Sequence, residues 1–332
     1  MTEFMMLIGI PASGKSSLAK ELAEEKNAII VSSDTTREMF NFQDGDEEDN
    51  KKVFSAMINA AKAYLEKGLN VIFDATNISR KKRIAILQQL KYLKDVKKHA
   101  YYVNTAYETA VRSAEVRERH VPKGVVKRMF MNLQMPIYEE GWDKITIIRR
   151  DKHKYTTQER MRITKLIQQS TEHDELMEAL SRLIPDIANI LNYAQDSTYH
   201  SFSVSRHTFH VYENVKDNTQ DMYEIERLNM LWVAVLHDIG KRFCKSFKSR
   251  QGEATRHANF IGHENVGAQL ACDILKSMDY SDDRIIEICK YVQLHMVLLN
   301  ASEKGRNRWK KFLDEESFAN LEMIREADVQ AH

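Results

Sequence analysis

The chain has 332 residues, of which 43% are hydrophobic and 29% charged. That length exceeds one ordinary domain and suits two, the composition excludes a disordered chain, and no apolar run reaches the roughly 18–20 residues that span a membrane. Net charge is +1, which taken whole argues against a nucleic-acid partner, yet residues 1–150 carry 25 basic and 20 acidic side chains while residues 151–332 carry 24 and 28.

Only 11 glycines and 4 prolines occur, which favours helices over a many-turned sandwich or barrel. The three cysteines, Cys244, Cys272 and Cys289, are odd in number and form no C-x-x-C pair. They exclude a disulfide framework and a thiolate zinc site. The start of the chain has neither the basic residues nor the cleavage site of a signal peptide, so a cytoplasmic protein is expected.

Residues 4–8 read as a buried strand and residues 16–25 as a helix. Further strands are expected at 28–31, 71–73, 99–103 and 145–148. Helices are expected at 51–67 and 79–95, with an acidic loop at 44–49. Alternating strands and helices predict a parallel sheet with helices on both faces. Residues 149–157 are charged and polar and make the best boundary. Beyond them, apolar residues at three- and four-residue spacing predict helices at 158–195, 207–218, 227–239, 263–278, 283–297 and 316–328. The second half is thus expected to be all-helical, giving domains at 1–150 and 158–332.

Gly9-Ile-Pro-Ala-Ser13-Gly14-Lys15-Ser16 has the spacing G-x-x-x-x-G-K-S between a strand and a helix. Its backbone N–H groups and the helix N-terminus suit a phosphate chain. Gly9, Ser13, Gly14, Lys15, Ser16 and Ser17 are therefore candidates for binding ATP. Lys15 would reach the β- and γ-phosphates and Ser16 would ligate Mg²⁺. Asp34 follows the second strand, where a carboxylate can take a proton from an acceptor hydroxyl or simply cap a helix. Arg37, one turn on, can hold an acceptor phosphate. Asp74 ends the third strand and can position Mg²⁺ or serve as a cap. Arg112, Arg117 and Arg119, read as lying on a helix that ends before Pro122, form a cationic lid or a solvated face. Residues 76–130 hold 14 basic and 4 acidic side chains, a field that attracts phosphates.

With the Phe73-Asp74-Ala-Thr-Asn77 strand end and the later Glu140-Gly-Trp-Asp143, these elements resemble the 5′-hydroxyl polynucleotide kinases over residues 3–148. The resemblance implies an α/β P-loop kinase fold using ATP and Mg²⁺. It also implies Asp34 as general base, Arg37 as acceptor-phosphate ligand and Arg117 as the first choice of lid arginine. Ser113 departs from the family's usual Asn and the lid spacing is one residue longer, so Arg112, Arg117 and Arg119 stay open as alternatives.

The second half carries His207, the pair His237-Asp238, His263, His295 and Asp328 in helical segments. Imidazoles and carboxylates together suit a divalent transition metal, and an aspartate can bridge two ions. Metal-bound water then serves as a nucleophile near neutral pH. Lys241, one turn beyond Asp238, could hold a phosphate. The ordered array H…HD…H…H…D resembles the HD phosphohydrolases, closest to the modules beside bacterial tRNA nucleotidyltransferases and poly(A) polymerases. That resemblance implies an all-α HD domain with His207, His237, Asp238 and Asp328 around one metal and His263 and His295 at a second. Mn²⁺, Ni²⁺ or Co²⁺ are the expected ions. His200, His210 and His257 stand outside the array, as structural or substrate-facing residues.

Kinase and HD halves together resemble bifunctional nucleic-acid end-healing enzymes. Such an enzyme would act on RNA or DNA ends, beside an RNA ligase and without a membrane. Two other readings stand: a small-molecule kinase joined to a nucleotide phosphohydrolase, and an ATP-gated RNA-binding module without catalysis.

Overall fold

The computed structural model describes residues 2–42, 47–117, 121–149, 153–197 and 202–331. Arg119 and His200 lie outside them. In the first half, β1 (Thr2–Ile8) is followed by α1 (Lys15–Lys26), β2 (Ala28–Ser32), α2 (Ser33–Phe40) and α3 (Glu47–Glu66). Then come β3 (Asn70–Asp74), α4 (Arg80–Gln89), β4 (Val96–Asn104), α5 (Tyr107–Glu115), α6 (Lys123–Asn132) and β5 (Lys144–Arg149). The five strands form one parallel sheet in the order β2-β3-β1-β4-β5.

β1 is central, and Phe4 to Ile8 are fully buried in succession. A strand covered on both faces reads as an unbroken apolar run rather than an alternation. Each such side chain contributes about 1.5–3 kcal/mol through burial. Met5 and Leu7 meet Ala19 and Leu22 of α1, together with Ile72 and Tyr101. The chain leaving β1 runs to one side of the sheet and that leaving β4 to the other. The carboxyl ends of these neighbours therefore border the crevice where doubly wound sheets bind ligands.

Three expectations for this half need correction. The helix expected at 79–95 stops at Gln89, because Val96–Lys98 extend β4 by pairing with Thr2–Phe4. Of the acidic stretch 44–49, residues 44–46 lie outside the described segments, and 47–49 form the first turn of α3 rather than a loop. Their carboxylates suit a helix N-terminus, and Glu47 and Glu48 pair with Lys51 and Lys52. The three lid arginines do not share a helix: α5 carries Arg112 and ends at Glu115, before Arg117.

The chain divides into two units, Met1–Asp151 and Lys152–His332. The second contains α7 (Thr157–Gln169), a π-helical turn at Asp174–Glu178, and the short α8 (Ala179–Ser181) and α9 (Pro185–Ala188). The long helices α10 (Val204–Asn218) and α11 (Glu224–Leu236) follow, then α12 (Lys241–Cys244), β6 (Ser246–Lys248) and β7 (Ala254–Asn259). Last come α13 (His263–Ser277), α14 (Asp282–Leu294), a 3-10 turn (His295–Leu298), α15 (Glu303–Phe312) and α16 (Glu315–Gln330). α11 is buried from Met230 to Leu236 and forms the centre of this core. No helix among the described residues is long and apolar enough to cross a membrane.

The single helical run expected at 158–195 is broken. α7 ends at Gln169, and the carbonyl of its cap residue Ser170 accepts bonds from Tyr212 Oη (3.1 Å) and Lys216 Nζ (2.6 Å) of α10. Side chains thus satisfy a helix end that would otherwise be orphaned. Pro185 then opens α9 at a first-turn position that needs no N–H. Nor is this half wholly helical: β6 and β7 pair antiparallel around a turn in which Gly252 takes φ 89°.

Candidate functional site

The first candidate site lies in the loop between β1 and α1. The Gly9 N–H donates to the Thr76 carbonyl at 3.0 Å, tying the loop to the end of β3. A Cβ on Gly9 would stand 2.8 Å from Ser13 Oγ and 3.0 Å from the Val103 carbonyl oxygen, so only glycine fits. Gly14 turns the chain into α1 with φ 91°. α1 has no side-chain cap and no acidic residue in its first turn, the arrangement that favours an anion. Lys15 is buried and its Nζ donates to the Ile10 carbonyl (2.6 Å) and to Ser13 Oγ (3.3 Å), curling over the loop. Ser16 and Ser17 present exposed residues at the helix start.

Asp74 closes β3 beside this loop and is 7% exposed. Burial pushes its carboxyl pKa up, while the Lys15 ammonium and a hydrogen bond with Ser16 pull it back. Asp34 and Arg117 act on it as well, so these five residues share one electrostatic neighbourhood. Asp34 does not cap α2. Ser32 does, accepting the Asp34 N–H at 3.3 Å, which places Asp34 inside the first turn. Arg37 lies 3.5 Å from Asp34 Oδ1 and donates to Asn50 Oδ1 at 2.8 Å. Arg112 is exposed and donates to Thr109 Oγ1 at 3.2 Å.

Sequence reasoning missed what braces the loop. Asn77, at φ 48°, donates from Nδ2 to the Leu7 carbonyl at 2.7 Å, joining β3 to β1 directly beneath it. Arg83 is fully buried, donates to Glu140 Oε2 at 2.7 Å and Oε1 at 2.5 Å, and reaches the carbonyls of Asn77 and Gln134. The conjunction of an arginine after the Asn77 turn with a later Glu-Gly-Trp was the available signal.

The second candidate site is a buried cluster. α10 supplies His207, the end of α11 His237 and Asp238, α13 His263, the turn after α14 His295, and α16 Asp328. Asp238 is the hub. Its Oδ2 lies 3.2 Å from His237 Nε2 and 3.5 Å from His207 Nε2, and its Oδ1 lies 3.3 Å from His263 Nε2 and 3.9 Å from His295 Nε2. Asp328 Oδ1 lies 2.9 Å from His207 Nε2. Two sets of mutually close donors result, His207–His237–Asp238 and Asp238–His263–His295, with Asp238 in both.

All four imidazoles are oriented alike. Their Nδ1 atoms contact backbone carbonyls: His207 that of Ala331 (2.9 Å), and His237, His263 and His295 those of Ala234, Phe260 and Val292 (2.8 Å each). A carbonyl can only accept, so each Nδ1 carries the proton, and whenever a ring is neutral its Nε2 lone pair faces inward. His263 and His295 Nε2 then approach to 3.2 Å, and the buried His237 Nε2 has no well-formed hydrogen bond. Converging lone pairs repel unless a cation or proton lies between them, so the residues fit a metal centre. Burial and the His263 and His237 charges push His295 down to about 3, which keeps it in the neutral, ligating form. Burial disfavours a charged Asp238, yet Lys241 and His237 outweigh it and hold the carboxyl well below its usual range. The net shift of Asp328 is likewise downward: burial raises it, and the hydrogen bond with His207 together with the His237 and His295 charges outweighs that.

Lys241 Nζ sits 2.6 Å from Asp238 Oδ2 and donates to Gln195 Oε1 at 2.8 Å. Gln195 is a partner that no spacing rule marks. His210 contacts Glu213 and His257 lies on β7, and neither belongs to the sets of mutually close donors.

A model of the AAA domain matches residues 4–136, and one of the HD domain matches residues 198–328. The chain joins a P-loop kinase-like domain to an HD domain. No curated protein matches it. Kinase-like P-loop domains use ATP with Mg²⁺ and HD domains bind divalent metals, so both candidate sites fall within domains of matching chemistry.

Proposed function

We propose that the chain heals nucleic-acid ends. The kinase-like domain phosphorylates a terminal 5′-hydroxyl, and the HD domain removes a 2′,3′-cyclic, 2′- or 3′-phosphate. The observation that carries this reading is the pairing, on one chain, of a phosphate loop flanked by Asp34 and Arg37 with a complete His–Asp cluster. A polymeric acceptor is supported by the exposed Lys81, Lys82, Lys91, Lys94, Lys123, Lys127 and Arg128.

In the kinase step, the α1 N-terminus and Lys15 hold the β- and γ-phosphates of ATP. Ser16, with Asp74 behind it, would hold Mg²⁺, which would neutralise charge on the phosphates. Asp34 accepts the proton of the 5′-hydroxyl as its oxygen attacks the γ-phosphorus and the bond to ADP breaks. Arg37 orients the acceptor phosphate, and Arg117, with Arg112 as the alternative, offsets charge on the transferring group.

In the HD domain, His207, His237 and Asp238, with Asp328, would hold one divalent ion, and Asp238, His263 and His295 another. Such ions supply Lewis acidity toward a phosphate ester, and imidazole-rich donors suit Mn²⁺, Ni²⁺ or Co²⁺. The chain's own contribution is orientation: four backbone carbonyls fix the imidazoles, and Lys241 offers an ammonium for a phosphate oxygen.

The test uses a 5′-hydroxyl, 3′-phosphate oligonucleotide with γ-labelled ATP, Mg²⁺ and Mn²⁺. Wild type is expected to transfer label, and Lys15→Ala and Asp34→Ala to lose transfer. Label on small metabolites but not on the oligonucleotide would replace the reading with that of a small-molecule kinase.

A further inference from the structure

Gln195 lies in the connection between α9 and α10, outside any helix or strand, yet it is 2% exposed. Its Nε2 donates to the Phe202 carbonyl at 3.2 Å, and its Oε1 accepts from Lys241 Nζ at 2.8 Å. The segment that carries it is pinned on both sides. Lys245, one turn beyond Lys241, donates from Nζ to the Ala194 carbonyl at 2.5 Å and pairs with Asp196 at 2.6 Å. The Asp196 carbonyl in turn accepts the Ala258 N–H of β7 at 3.0 Å. Gln195 Oε1 is therefore a fixed acceptor, held by its own second hydrogen bond and by its neighbours.

Lys241 meets two oxygens, and they differ. Asp238 Oδ2 lies 2.6 Å from Nζ but has no well-formed hydrogen bond, and it is the Asp238 oxygen nearest His237 and His207. An oxygen that belongs to a metal-ligand set is a poor standing partner for a lysine. Gln195 Oε1 accepts the one well-formed hydrogen bond that the ammonium makes among the described residues. It is also neutral. An amide oxygen fixes an ammonium without cancelling its charge, whereas a second carboxylate would cancel it. The Phe260 ring, 5.4 Å from Nζ at its centre, favours the cation from another side. Of the three N–H groups of Lys241, one is thus committed to Gln195, and the others remain beside Asp238 for an incoming oxygen.

We propose that Gln195 is a positioning residue of the HD centre: it holds the Lys241 ammonium, with its charge intact, where an oxygen of the phosphate ester binds. The proposal rests on the reading of this domain as a phosphohydrolase and adds what aims Lys241. A contact made equally to the bound ester and to its transition state sets KM and leaves kcat nearly alone, so Gln195 acts on KM through Lys241.

Three variants of the full chain separate the roles. Gln195→Met keeps the side-chain length and removes the acceptor, Gln195→Glu keeps the acceptor and adds a charge, and Lys241→Met removes the ammonium. Hydrolysis of an oligonucleotide 3′-phosphate is followed with Mn²⁺. Binding of inorganic phosphate to the Mn²⁺-loaded chain, with ADP filling the phosphate loop, is measured by calorimetry. Gln195→Met is expected to raise KM and the phosphate Kd about tenfold, with kcat changed far less and Mn²⁺ retention in equilibrium dialysis unchanged. Gln195→Glu is expected to weaken phosphate binding as well, although it restores the hydrogen bond. In the Lys241→Met background, Gln195→Met should add nothing. Wild-type values in Gln195→Met, loss of Mn²⁺ from it, full rescue by Gln195→Glu, or additive losses in the double variant would each overturn the proposal. A wild type that binds phosphate but hydrolyses no end phosphate defeats the phosphohydrolase reading, and the phosphate affinities of the variants still decide the role of Gln195.

Discussion

At Gly240 a single added methyl group would strike the His263 carbonyl oxygen and come within 2.7 Å of the Gly267 nitrogen. Both are backbone atoms and cannot swing aside. Gly240→Ala is therefore expected to cost about 1–3 kcal/mol in chemical unfolding of the HD domain and to draw His263 away from Asp238. Phosphate hydrolysis should fall while label transfer from ATP is unchanged. In the kinase-like domain, Arg83 and Glu140 are buried against each other. Removing Glu140 leaves the buried Arg83 charge without a carboxylate, and Glu140→Ala should cost about 3–5 kcal/mol in that domain's unfolding, whereas after Arg83→Ala Glu140 keeps Arg80 at 3.4 Å and the cost should be smaller. Asp34→Asn tests a different role. It keeps the shape of the first turn of α2 and should lower kcat by about 10²–10⁴ with little change in KM for ATP. The candidate residues of the cluster were legible because their types and order are unusual. Gln195 and Asn50 were not, since a lone amide carries no pattern and acquires a partner only through tertiary contact, and Asn77 was marked only as part of a strand-end motif, not for its bond to β1.

Elements were legible where burial imposed a period. β1 shows in sequence as an unbroken apolar run, and α10, α11, α13, α14 and α16 show as apolar residues three and four apart. α15 was missed because none of its residues is buried, so its sequence holds no apolar stripe. The β6–β7 hairpin was missed because its strands are short and mostly exposed. The break after α7 was hidden because side chains from a distant helix, not a local stop signal, satisfy its end. Caps matter for the element that presents Asp328. Asp314 caps α16 through Oδ1, 2.7 Å from the Ser317 N–H, and also meets Ser317 Oγ at 2.8 Å. Asp314→Ala should cost about 1 kcal/mol and weaken metal retention measured by equilibrium dialysis, whereas Asp314→Ser should restore most of both.

For the whole molecule, the near-neutral net charge conceals two halves of opposite sign, one a P-loop kinase-like domain and the other an HD domain. Chelation should separate them. Stripping transition metal from the HD domain, then restoring Mg²⁺ alone, is expected to leave 5′ phosphorylation intact and to abolish 3′-end hydrolysis until Mn²⁺, Ni²⁺ or Co²⁺ returns. The most direct test of the central claim is mass spectrometry of one oligonucleotide, 5′-hydroxyl and 2′,3′-cyclic phosphate at its ends, after incubation with ATP and metals. The expected product carries a 5′-phosphate and lacks the 3′-terminal cyclic phosphate. Lys15→Ala should lose only the 5′ change and Asp238→Ala only the 3′ change. An oligonucleotide returned unaltered at both ends by wild type, while ATP is consumed on another acceptor, would contradict the claim.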